Sequence, residues 1–291
     1  MLQGSYVALV TPFRNGGIDW TALEGLIQFH LDEGTDGILL LGTTAETAGL
    51  ASDEKDALLR FAIQKINKQV PVMIGTGTNN LSQTIANTQK AKDMGADYAL
   101  VITPYYIKPT QNGLIEYFRA VADKVDIPIV IYNVPGRTGV NMAAATTVKL
   151  AELCPNIVGI KEASGNIVQA TNILRDVKAG FSLMSGEDAL NLPLMAIGAK
   201  GCISVTANVV PRLMQEHIAA CLDGDFATAA KQHQHLARIN DLMFIETNPI
   251  PAKEALSMMG KLALEFRSPI CPLQDSNREI LSLGLKDYKL I

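Results

Sequence analysis

Eight short apolar runs, each followed by a helix-like segment, constrain this chain more than any other feature. They begin at Tyr6 (YVALVTP), Gly37 (GILLLG), Val70 (VPVMIGTG), Asp97 (DYALVITP), Ile127 (IPIVIYNVP), Ile157 (IVGIKEA), Phe181 (FSLMSG) and Gly201 (GCISVTAN). Most are continuously apolar rather than alternating, as expected of parallel strands covered on both faces. The segments between them carry helical spacing. Leu23, Leu26, Ile27 and Leu31 share one face, with Gly34 placed to cap the C-terminus. The next helix reads as starting from Ser52 as its N-cap, with acidic residues in the first turn. Strands alternating with helices in this number predict an α/β fold, a (β/α)8 TIM barrel. A doubly wound open sheet is the rival, but no G-x-G-x-x-G follows the first strand, and GTGTNN at Gly75 is not that motif.

After Val209 the strand signals stop. The remainder reads as helices broken by the turn ETNPIP. The expected organisation is a catalytic barrel over 1–224 and a small C-terminal helical domain over 225–291, and 291 residues suffice for both. A net charge of -4 argues against a broad nucleic-acid footprint. No apolar run is long enough for a membrane span. The start MLQGSYVALVTPF lacks the basic region and cleavage site of a signal peptide, so the cytoplasm is the expected location. Cys154, Cys202, Cys221 and Cys271 are far apart and read as buried free thiols. His30 and His217 stand in no metal-binding motif, and His233 with His235 reads as a solvated helix face.

In such a barrel, chemistry sits at the C-terminal ends of the strands. Those ends present Thr43-Thr44, Tyr105-Tyr106, Tyr132-Asn133 followed by the loop VPGRTG, Lys161-Glu162, Ser185-Gly186-Glu187-Asp188, and Ile203-Ser204. Lys161 is the feature that asks for an explanation. An ordinary lysine is neutral in only about one molecule in 2,500 at pH 7. Burial disfavours the ammonium, and a neutral amine can attack a ketone to form a Schiff base. The iminium then withdraws electrons, allows a proton to leave the adjacent carbon, and generates an enamine. Tyr132, Tyr106 and Thr43 suit a proton relay. Arg137 offers a bidentate fork for a carboxylate, and the backbone at Thr43-Thr44 offers a second anion site. Each residue also has a structural reading. Lys161 can pair with Glu162, Tyr105-Tyr106 can be a packed loop, Arg137 a surface charge, and Thr43-Thr44 a helix cap.

The stretches LVTPF, GTTAET, PYYIKPTQNGL, YNVPGRTG, GIKEASGN, MSGED, GCISVTANVVP and NPIPAKEAL run from end to end of the chain. In this order they resemble the dihydrodipicolinate synthase (4-hydroxy-tetrahydrodipicolinate synthase) family, within the pyruvate-dependent class I aldolases. The resemblance implies condensation of pyruvate with L-aspartate 4-semialdehyde in the diaminopimelate and lysine pathway. It implies that Lys161 carries the Schiff base and that Tyr132 relays protons, helped by Thr43 and by a Tyr106 reaching in from a neighbouring subunit. Thr44 would hold the pyruvate carboxylate, Arg137 that of the semialdehyde, and the backbone at Gly186 and Ile203 would line the pocket. No organic cofactor or catalytic metal is implied, and the expected assembly is a homotetramer, a dimer of tight dimers. Ala45 stands where the family usually has glycine. In lysine-regulated members a lysine site lies at the tight-dimer interface. Gln83 takes the place of its glutamate, Ser52 and Lys55 the places of its histidines, while Asn79 and Tyr105 match, so lysine inhibition is expected to be weak or absent. Rivals are an aldolase for N-acetylneuraminate or a 2-keto-3-deoxy sugar acid, a non-catalytic acid-binding barrel, and a glycoside hydrolase.

Overall fold

Each of the eight apolar runs forms a strand, and the strands close on one another. The computed structural model describes residues 2–291. The strands are β1 Gly4–Ala8, β2 Gly37–Leu40, β3 Val72–Gly75, β4 Tyr98–Ile102, β5 Ile129–Asn133, β6 Ile157–Glu162, β7 Ser182–Ser185 and β8 Gly201–Ser204. Every neighbouring pair is parallel, and β1 pairs with both β2 and β8 to complete the barrel. Pleating sends Tyr6, Ala8, Leu39, Met73, Leu100, Val130, Tyr132, Met184 and Ile203 inward, where they fill the barrel. Val7, Ile38, Leu40, Val101, Ile131, Ile160 and Leu183 belong to the second apolar layer, which includes the helices. Burial of both strand faces is why the runs do not alternate.

The surrounding helices are α1 Trp20–Asp32, α2 Ser52–Ile66, α3 Leu81–Asp93, α4 Gln111–Lys124, α5 Pro135–Thr138, α6 Ala144–Leu153, α7 Ile167–Asp176, α8 Asn191–Ala196 and α9 Pro211–Leu222. In α4 the buried positions Leu114, Tyr117, Phe118, Val121 and Ala122 follow the helical repeat and face the barrel. Side chains of Asp19, Asn80, Thr110 and Asn166 each accept a hydrogen bond from a first-turn N–H of the helix that follows. Ser52 does not do this. It is the first residue of α2, Ala51 is the cap, and the Glu54 carboxylate accepts the Ala51 N–H at 2.9 Å. In α1 the fourth fully buried side chain is His30 rather than Leu31, its Nδ1 3.0 Å from the Thr35 hydroxyl.

After β8 and α9 come only helices: α10 Phe226–Leu242, α11 Ile250–Met258 and α12 Asp275–Asp287. They pack on one another and, through α10, on α8 and α9. Two expectations change here. His233 is half-buried, with its ring stacked on that of His217 at 5.7 Å, so only His235 of that pair is exposed. Cys154, Cys202 and Cys221 are buried free thiols, but Cys271, on the loop before α12, is exposed. Among the described residues no helix is long and apolar enough to cross a membrane.

Candidate active site

Lys161 lies near the end of β6, in register with Tyr132 of β5 and Met184 of β7. That parity turns Lys161 into the barrel and Glu162 out of it. Glu162 is held on the far face by Asn133 Nδ2 at 3.1 Å, Gln169 Nε2 at 3.2 Å and the Ser164 N–H at 2.7 Å. The neighbour in sequence is therefore not the partner in space. Among the described residues no carboxylate forms a salt bridge with Lys161; its Nζ lies 4.6 Å from the centre of the Tyr132 ring. Lys161 is 5% exposed. Burial pulls its pKa down to about 8, against an opposing pull from Asp188.

A cavity of about 90 Å³ opens above this amine, lined among others by Thr43, Thr44, Tyr132, Arg137, Gly186 and Glu187. Burial raises the pKa of the Tyr132 phenol, while Arg137 and the neighbouring Thr43 hydroxyl pull it down. The phenol is thus protonated at neutral pH. Thr43 to Ala45 form a single 3-10 turn after β2. Ala45 is not among the residues with positive φ, so alanine at this position is unstrained; the left-handed residue of the loop is Glu46, at φ 53. Gly186 donates its N–H to the Glu162 carbonyl at 2.8 Å. A Cβ at Gly186 would lie 2.7 Å from that of Ala163 and 3.1 Å from the Lys161 stem, so only glycine leaves the lysine undisturbed.

Two carboxyls stand near the amine. One oxygen of the Asp188 carboxylate, Oδ2, accepts the Val205 and Thr206 N–H groups, both at 2.9 Å, and so holds the loop after β8. Glu187 lines the cavity, its pKa raised by burial and then by Asp188.

Not every expected residue converges here. Ile203 packs in the barrel interior with Tyr132 and Met184, and Val205 lines the cavity on the β8 side instead. Tyr106 is 87% exposed, at φ 72, on the loop after β4, and takes no part in the lining of its own chain's cavity. Phe244 and Asn248, both from the segment between α10 and α11, also line the cavity, and neither takes a role there from the sequence alone. Asn248 Nδ2 donates to the Thr44 hydroxyl at 2.9 Å, and its carbonyl accepts from Arg137 at 3.1 Å. The local signals at this place are the breaker-rich ETNPIP and the stretch NPIPAKEAL, which begins at Asn248.

The whole chain and its fold are matched by known proteins. The pattern of the Dihydrodipicolinate synthetase family matches residues 1–287. The 4-hydroxy-tetrahydrodipicolinate synthase of Thermodesulfovibrio yellowstonii is 47% identical over 291 residues, covering 100% of both chains. The crystal structure of dihydrodipicolinate synthase from Aquifex aeolicus superposes with a TM-score of 0.98 at 47% identity, over 99% of each chain. That of the chloride-inhibited dihydrodipicolinate synthase from Acinetobacter baumannii, complexed with pyruvate, gives 0.97 at 42% identity, over 100% of each chain. With agreement from end to end in sequence and in fold, and with the buried lysine on its strand, the chain belongs to the dihydrodipicolinate synthetase family.

Proposed function

We propose that the protein is a 4-hydroxy-tetrahydrodipicolinate synthase, condensing pyruvate with L-aspartate 4-semialdehyde. The observation that carries this reading is the buried, unpaired Lys161 amine beside the Tyr132 ring, on a cavity with Arg137 in its wall. The amine adds to the pyruvate ketone, and loss of water leaves an iminium. A proton leaves the pyruvate methyl, and the enamine carbon attacks the aldehyde. The amino group of the semialdehyde then displaces Lys161, which closes the ring and frees the lysine. Tyr132 and Thr43 carry protons between these steps, Thr44 and the backbone around it hold the pyruvate carboxylate, and Arg137 receives the carboxylate of the second substrate. Gly186 keeps the wall open beside the lysine, and Ile203 supports it from the barrel interior.

Arg137 in the cavity wall favours this acid over a polyhydroxylated sugar acid, and the intact Lys161 and Tyr132 argue against a purely binding barrel. Glycoside hydrolysis needs two carboxylates facing one space; Glu162 faces away and Asp188 is engaged by backbone. The direct test is borohydride reduction in the presence of pyruvate, followed by peptide mapping. The adduct should fall on Lys161, and an adduct on any other lysine would overturn the assignment.

Arg137→Ala should separate the two substrates. One charge-assisted carboxylate contact is worth about 2–5 kcal/mol, so kcat/KM for the semialdehyde should fall about 30-fold or more, while pyruvate still labels Lys161 under borohydride. Equal losses for both substrates would contradict the role given to Arg137.

Tyr105, Tyr106 and Ile107 are consecutive, large and exposed. Such a patch fits an interface, which supports a homotetramer in which Tyr106 completes the relay of a neighbouring subunit; the cytoplasm is its expected compartment. The lysine site of regulated relatives would lie beside this patch. Asn79 Nδ2 is 3.4 Å from the Tyr105 carbonyl, but Gln83 is turned to Asn87 at 2.7 Å and offers no negative charge to an α-ammonium. Lys55 adds a like charge on α2. At roughly 0.5 mM lysine and saturating pyruvate, more than half of the activity should remain; half-inhibition at or below that concentration would show a working site.

A further inference from the structure

Glu46 and Lys253 enter none of the steps above, yet they form the most deeply buried ion pair of the described residues. Their side chains are 2% and 0% exposed, with Lys253 Nζ 2.5 Å from Glu46 Oε1. The second carboxylate oxygen, Oε2, accepts the Arg267 N–H at 2.8 Å. Lys253 also donates to the Glu265 carbonyl at 2.6 Å and lies over the rings of Phe13 at 4.3 Å and Phe266 at 4.9 Å. Every polar atom of the pair has a partner, so this is a completed network rather than an accident of packing. A pair desolvated to this degree contributes little stability compared with apolar side chains of the same shape; what it specifies is position.

The position concerned is that of the catalytic loop. Glu46 follows directly on the Thr43–Ala45 turn and is held in a left-handed conformation that L-residues with a long side chain avoid. Lys253 sits on α11, five residues after Asn248, which already bonds Thr44. The loop is thus fastened to the C-terminal helical segment at two points, through the Thr44 hydroxyl and through the Glu46 carboxylate. The Asn248 carbonyl extends the connection to Arg137. We infer that Glu46 and Lys253 are a positioning pair, through which the C-terminal helices set the Thr43-Thr44 turn against Lys161 and Tyr132. This rests on the proposed synthase reading, in which that turn relays protons and holds the pyruvate carboxylate.

The test compares the wild type with Glu46→Asp and Lys253→Arg. Each keeps both charges and changes the reach of one partner, so the network must draw the loop with it. Small misplacements of positioning groups have large kinetic effects. In the folded variants KM for pyruvate should rise roughly tenfold or more and kcat should fall by a similar factor. The melting temperature and the pH profile of borohydride labelling at Lys161 should stay close to those of the wild type. A pair that only stabilises the fold would give the opposite pattern, a lowered melting temperature with unchanged constants. Values of kcat and KM within twofold of the wild type in either variant would overturn the inference. Failure of the wild type to label at Lys161 would instead overturn the synthase reading beneath it.

Discussion

Lys161→Met should abolish turnover and, at the same time, make the protein more stable. The loss of activity follows from the chemistry. Without the amine there is no iminium and no enamine, and removal of a covalent nucleophile typically costs on the order of 10⁴-fold or more. The gain follows from the energetics of the site. With a pKa of about 8 instead of 10.5, the folded protein holds the Lys161 proton less tightly than the unfolded chain does. The sign is therefore a penalty on folding. It is fully present below pH 8, shrinks as pH rises, and vanishes above pH 10.5. At pH 7 it amounts to on the order of 3 kcal/mol. Methionine fills nearly the same volume with no charge to desolvate, so the variant should unfold at higher denaturant concentration at pH 7, with the advantage narrowing toward pH 10. Chemical denaturation at several pH values checks this. A variant less stable than the wild type at pH 7 would show that the lysine is not strained by burial.

The same pKa sets the pH dependence of the wild type. At pH 7 about one Lys161 in ten is neutral, against about one in several thousand for an ordinary lysine. Schiff-base formation should therefore quicken nearly tenfold per unit up to about pH 8 and level off beyond it.

Tyr132→Phe should lower kcat by about 10²–10³-fold, within the usual range for losing a positioned proton carrier. Its ring would remain beneath the Lys161 amine, at the 4.6 Å seen with tyrosine, so the packing of the barrel interior changes little. The phenol is kept protonated by burial, which lets it donate to an alkoxide and recover the proton from its neighbour. Borohydride should still trap pyruvate on Lys161, only more slowly, because the variant retains the nucleophile. Rapid-quench kinetics would separate this step from condensation. A variant retaining more than about a third of kcat would remove Tyr132 from the relay, and a variant that no longer folded would assign it to the core instead.

Several of these residues are legible in the chain of amino acids alone. Lys161 stands out because a charged side chain ends an apolar run, and Tyr132, Arg137 and Thr43-Thr44 because they lie at equivalent ends of other runs. Strand identity is a local property. It follows from short runs of β-branched and aliphatic side chains, and parallel βα units have few ways to close. Glycine at position 186 can be read as a turn, but not as the clearance that Lys161 requires.

What local patterning alone determined was therefore the barrel, the rim formed by its strand ends, and a lysine that needed an explanation. Only the tertiary structure decided that Lys161, and not the adjacent Glu162, faces the barrel interior. Pleat parity makes them opposite, but which side is the interior depends on how the sheet closes. Only the structure brought Asn248 to Thr44, Lys253 to Glu46, and His233 onto His217. Those contacts join segments whose own spacing says only that they are helical or turning. Asn248 and Thr44 are 204 positions apart, and Lys253 and Glu46 are 207 apart. Tyr106 marks the same divide: its place just beyond a strand end is legible in the order of the chain, yet the folded chain turns it outward. The reason is physical in each case. Propensity and periodicity act over a few neighbouring residues, whereas the partner of a buried polar group is set by which distant surfaces the whole core brings together.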